Sequence, residues 1–200
     1  VAGRGRGAGR SRGSRPFTPP PREAPADAEE RGPEADHEAV ARKILLDQLT
    51  GQARSRAELA GKLAKRQVPE EVAGPLLDRF EEVGLVDDAS FAREWTQSRH
   101  ASRGLARRAL GVELRRKGVA QDVIDEALEG VSDDSEREAA RVLAQRKLRS
   151  MSTLDEQTQV RRLVGLLGRK GYSPGLAFAV VREVVGAAQA GDEPDPEDWT

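Results

Sequence analysis

The stretch RRKGVAQDV, residues 115–123, has two counterparts in the same chain: AKRQVPEEV at 64–72 and GRKGYSPGL at 168–176. Each is a basic, polar run that ends in an apolar residue: Val68, Val119 and Tyr172. Aligning these three fixes offsets of 51 and 53 residues. Five positions upstream stand Leu63, Leu114 and Leu167, and nine upstream stand Leu59, Leu110 and Leu163. Downstream come Val72, Val123 and Leu176, then Leu76–Leu77, Ala127–Leu128 and Val180–Val181, and finally Phe80, Val131 and Val184. Apolar residues three to five apart trace one face of an amphipathic helix. Their recurrence three times over marks an internal repeat.

Each repeat has room for three short helices. The pattern predicts first helices at 38–50, 88–101 and 134–149, second helices at 55–66, 104–117 and 156–170, and third helices at 69–83, 120–130 and 173–186. Gly118 and Gly171 suit the left-handed conformation that closes a helix, whereas repeat one has Gln67 there. Pro69 and Pro174 suit first turns, and Asp87 or Asp88 can cap the helix that follows. Nothing reads as strand. Units this small cannot hide their own apolar faces, so they stack into an elongated array. The fold class is therefore all-α, a tandem array of three three-helix repeats over 38–87, 88–133 and 134–186.

The flanks differ in kind. Residues 1–37, rich in Arg, Gly and Pro, cannot bury enough apolar surface to offset chain entropy, and 187–200 form an acidic counterpart; both are expected to be disordered. The Gly-Arg spacing of the first flank fits a nucleic-acid-binding arm and fits a plain solubilising extension equally well. The sequence has no cysteine, which excludes disulfides, thiolate zinc and a cysteine nucleophile. No apolar run is long enough to span a bilayer, and no secretory signal is present, so a cytoplasmic protein without membrane contact is expected.

No catalytic constellation emerges. The two histidines, His37 and His100, stand alone, and no phosphate-loop or dinucleotide glycine pattern follows a strand. Paired acids such as Glu70–Glu71 and Asp133–Asp134 read as helix-start charges. The expectation is a non-enzyme with no cofactor, no metal and no small-molecule substrate.

Charge is the informative feature. Residues 89–118 hold eight basic and two acidic residues, and 135–170 hold nine and four; the intervening 69–88 and 119–134 are strongly acidic. Stacking would align these bands into one basic and one acidic surface. Arg108 and Arg115 lie about 100° or more around the helix from the Leu110–Leu114 face, and Gly111 between them would let a backbone or a phosphate approach. Lys65–Arg66, Arg116–Lys117 and Arg169–Lys170 sit at helix ends, where cations complement the helix dipole. Arg99, Arg103, Arg107, Arg108 and Arg115 run through a whole helical hairpin and are the candidate binding residues. Phe91 and Trp95, one turn apart, are expected to pack at a junction between repeats; an exposed base-stacking platform is the alternative.

GLVDDASFAREWTQSR (84–99), followed by LRRKGV (114–119) and LLGRKGY (166–172), resembles the RecX family, regulators of the RecA recombinase. The resemblance covers residues 38–186. It implies a curved array of three-helix modules that binds the RecA filament on single-stranded DNA, with possible direct DNA contact. It further implies inhibition of strand exchange and of RecA ATP hydrolysis, and restraint of the DNA-damage (SOS) response in recombinational repair. A stand-alone helical DNA-binding protein and a helical protein–protein adaptor remain open on the residues alone.

Overall fold

The computed structural model describes residues 33–190, and every regular element among them is helical. The nine helices are α1 (Pro33–Gly51), α2 (Arg56–Lys65), α3 (Glu70–Glu82), α4 (Asp88–Arg103), α5 (Arg107–Arg116), α6 (Gln121–Glu129), α7 (Asp133–Arg149), α8 (Glu156–Arg169) and α9 (Pro174–Ala190). They form three units of three in chain order, as the repeat requires. At the flanks, α1 takes in residues 33–37 and α9 extends to Ala190, so both helices run past the expected boundaries. Residues 1–32 and 191–200, with the disorder expected for them, lie outside the described residues. None of the described helices is long and apolar enough to cross a membrane.

The repeated stripe is the core. Leu59, Leu63, Leu110, Leu114, Leu163 and Leu167 are all fully buried, as are Val180 and Val181. Repeat one has its own buried cluster, from Ala41 and Leu45 to Val86. Repeat two is built on Phe91, Ala92, Leu114 and Ile124, with a smaller group around Leu110. Repeat three centres on Ala140, Leu163, Leu167 and Val180, and also draws in Ala106 from repeat two. Its junction with repeat two is thus partly apolar.

The aligned positions Val68, Val119 and Tyr172 have a local cause. Each second helix ends in a tight turn whose next residue donates back to the helix: Val68 to Leu63, Val119 to Leu114 and Tyr172 to Leu167. That closure needs a left-handed residue and places an apolar one after it, facing the core. Gly118 (φ 76°) and Gly171 (φ 93°) supply the left-handed residue, and both are also forced to be small. A Cβ at Gly118 would lie 2.3 Å from the Ala57 Cβ, and one at Gly171 would lie 2.7 Å from Ala109. Repeat one closes the same turn with Gln67 at φ 60°. A non-glycine residue there carries a steric cost of about 1–2 kcal/mol. Gln67→Gly should therefore raise stability by about 1 kcal/mol, or a few degrees in Tm. Thermal melting followed by circular dichroism checks this, and an unchanged or lower Tm would mean that the turn is not strained.

Candidate nucleic-acid interface

The α4–α5 hairpin carries all five candidate arginines. Asp87 starts α4 by accepting the Ser90 N–H (2.9 Å), and that backbone hydrogen bond holds its carboxyl below the usual carboxylate range. Gly104, left-handed at φ 57°, closes the helix, and the Leu143 side chain packs where a Cβ would stand. No side chain of its own repeat caps α5. Repeat three does so instead: Lys170 O accepts the Ala106 N–H (3.0 Å) and Glu136 Oε1 accepts the Arg107 N–H (2.8 Å). The same device joins repeats one and two, where Asp88 Oδ1 accepts the Arg56 N–H (2.8 Å). Burial pushes the Asp88 carboxyl above its ordinary value, against the opposing effect of that hydrogen bond.

These latches decide what the arginines can do. Arg107 pairs with Asp133 and with Glu136 (3.2 Å); the hydrogen bond to Asp133 leads in holding its guanidinium even more firmly protonated than usual. Arg99 lies 4.0 Å over the Trp95 ring and 3.9 Å from Glu113. Both are structural members of the hairpin. Arg103, Arg108 and Arg115 are exposed, and none has an acidic partner among the described residues; Arg115 donates only to Gln121 (3.2 Å). Gly111 does not offer the open approach expected of it. It is buried and faces the Leu128 side chain of α6, which a Cβ there would meet at 3.4 Å, so it does not lie open to solvent.

The helix-end cations divide into two columns. Lys117 and Lys170, at equivalent positions, clamp neighbouring repeats. Lys117 Nζ pairs with Glu58 (2.7 Å) while its carbonyl accepts from Ser55 Oγ (2.6 Å), and Lys170 Nζ donates to Arg103 O (2.8 Å). Lys65, Arg116 and Arg169, the column one residue earlier, are exposed and unpaired among the described residues. Sequence reasoning treated both columns alike because only the contacts separate them. It also missed Ser55, Glu58 and Glu136, and it offered Asp88 only as a cap for its own helix, which Asp87 in fact supplies. The recurrence of an acid at Asp88 and Glu136, each opposite an arginine that recurs at 56 and 107, was the available signal.

Trp95 sits half-buried inside this arrangement. Phe91 stacks on it at 5.8 Å, Lys117 Nζ lies 4.0 Å from its centroid, and its Nε1 donates to Glu113 (2.9 Å). The indole thus packs against the core of repeat two, and these contacts favour the packing role over a base-stacking platform.

Tyr172 ties repeat three to repeat two. Its hydroxyl donates to Gly104 O (3.0 Å), and burial, with Glu136 adding to it, pushes the phenol up to about 12. Because the folded value lies above the ordinary 10.0, this junction is fully favoured below about pH 10 and weakens as pH rises toward 12. Tyr172 is the only tyrosine, so absorbance of the phenolate reports it alone. Half-titration near 12 in the native protein and near 10 in denaturant is expected, with Tyr172→Phe costing about 1–2 kcal/mol by orphaning the Gly104 carbonyl. A native titration at the ordinary value would contradict the buried contact.

Models of three successive domains match the chain: RecX first three-helix domain at 41–80, second at 87–128 and third at 134–181. The chain belongs to the RecX family. It is 51% identical over 158 residues to Regulatory protein RecX of Streptomyces coelicolor, covering 79% of this chain and 84% of that protein. The counterpart in Thermobifida fusca is 48% identical over 161 residues, 80% and 87% of the two chains. The crystal structure of RecX from Lactobacillus salivarius shares the fold at a TM-score of 0.68 and 19% identity, over 75% of this chain and 97% of that one. Another RecX crystal structure gives 0.67 at 25% identity, over 75% and 73%. As a RecX family member the chain is a regulatory protein, and its three repeats are the three RecX domains.

Proposed function

We propose that this protein binds the RecA filament on single-stranded DNA and restrains strand exchange and ATP hydrolysis by RecA, acting in the cytoplasm as a regulator without catalysis of its own. The match to RecX domain models in all three repeats carries this reading. The distribution of exposed cations supports it. Arg103, Arg108 and Arg115 project from the middle repeat, and Lys65, Arg116 and Arg169 recur at one place in each repeat, all without acidic partners among the described residues. A ladder of unpaired cations suits a polyphosphate backbone, and cations already neutralised by the protein's own acids would add little to such binding. Arg99 and Arg107 support the surface by holding the hairpin.

The same ladder favours a second reading, direct binding of DNA without RecA. A pulldown on immobilised protein separates the two. RecA should be retained strongly only when single-stranded DNA and a nucleotide that maintains the filament are both present. Retention of DNA alone, unaffected by RecA, would support the second reading and count against the first.

A further inference from the structure

Each internal junction joins the same two parts. A turn at the end of one second helix, containing Lys117–Gly118 or Lys170–Gly171, lies on the start of the preceding second helix. The contacts are Ser55 to Lys117 O with Ala57 against Gly118, and Ala106 to Lys170 O with Ala109 against Gly171. Repeat three presents the receiving surface, and among the described residues nothing covers it. Adding 53 to Gly104, Leu105, Arg107 and Arg108 gives Gln157, Thr158, Val160 and Arg161. These four line an open groove of about 400 Å³ together with Val164 and Phe178.

The chemistry of this third receiving surface has changed. The latch arginines Arg56 and Arg107 are replaced by Val160, and Glu58, which pairs with Lys117, is replaced by Arg162. Phe178, 53% exposed, stands where the other repeats have Gly74 and Asp125. Arg161, Arg162 and Arg182 are exposed, and none pairs with an acid among the described residues. Arg182 is one helical turn from Phe178, on the same side of α9.

A second copy is a poor match. Its equivalent docking turn is Lys65–Arg66–Gln67. Gln67 would bring a side chain where Gly118 and Gly171 cannot carry even a Cβ, and Arg66 would face Arg162 where the internal junctions offer Glu58 or Ala109. Like charges and a steric block both oppose head-to-tail growth.

We propose that this groove receives an acidic polypeptide segment of another protein, with a large apolar side chain seated among Val160, Val164 and Phe178 and its carboxylates on the flanking arginines. Apolar anchor and charge complementarity together specify such a ligand.

The probe is a short fluorescein-labelled peptide, one phenylalanine between acidic residues, titrated against the full chain by anisotropy. Saturable binding is expected, weakened about tenfold or more by Phe178→Ser, by Arg161→Glu, or by alanine in place of the peptide's phenylalanine. A peptide with lysines for the acids should not bind. Circular dichroism of both variants should match the parent, and Arg161→Gln provides a milder second charge variant. No binding, or equal binding by the variants or by the alanine peptide, overturns the proposal. So would binding that tightens about tenfold when residues 191–200 are removed, because this chain's own acidic segment would then be the occupant. Concentration-dependent growth of the free protein in sedimentation velocity would overturn it too, by showing that a second copy does fit.

Discussion

Trp95→Ala should destabilise the protein by about 3 kcal/mol, the lower end of the range for removing a large aromatic because the indole is only half-buried. For a chain of this size that corresponds to a fall in Tm of about 6–12 °C. The loss has several parts: stacking on Phe91, the Arg99 and Lys117 cations over the ring, and the hydrogen bond to Glu113. It also reaches the first junction, because the Lys117 that rests on the ring is the one that pairs with Glu58. Trp95→Phe keeps a ring under the cations and should lose roughly 1 kcal/mol, about that of one hydrogen bond. Thermal melts of both variants give the answer. If Trp95→Ala melts like the parent and loses only partner binding, the ring is a binding platform and its packing role is wrong.

The double reversal Arg108→Glu, Arg115→Glu is expected to weaken filament binding by roughly an order of magnitude at low salt while leaving the fold intact. Both side chains are exposed and make no ion pair among the described residues, so the stability change should stay within about 0.5 kcal/mol. If each cation neutralises one phosphate, the plot of log K against log salt should become shallower by about 1.4, two contacts at roughly 0.7 each on a single strand. Lys65→Glu with Arg66→Glu is the control. Lys65 belongs to the exposed column, but α2 has Ala57 and Glu58 where α8 has Arg161 and Arg162, so its surroundings are less basic. Anisotropy across a salt series ranks the two. A silent Arg108/Arg115 pair beside a damaging Lys65/Arg66 pair would move the contact surface to repeat one.

The helices and cores were legible because one physical constraint writes them three times. Leu59, Leu110 and Leu163 face the core of each unit, and the turn after Gly118 or Gly171 dictates the apolar residue that follows. The junctions were not legible for a specific reason. An acid in the first turn of a helix, such as Asp88 or Glu136, already has an adequate local explanation. Only a contact with a residue 32 or 29 positions earlier shows that it caps the preceding repeat. The same distance in sequence concealed which arginines were occupied, since Arg107 and Arg108 are neighbours in the chain with opposite roles. Gly111 misled because a small residue among cations suggests access from solvent, whereas it is buried and faces Leu128 of α6.

The most direct test of a regulator of RecA is the ATPase rate of RecA itself, measured on single-stranded DNA as the protein is titrated in. The rate should fall to a low plateau at or below one molecule of this protein per RecA, and the Arg108/Arg115 reversal should shift that curve to higher concentration. An ATPase rate that stays at its starting value across a wide excess of folded protein would contradict the account.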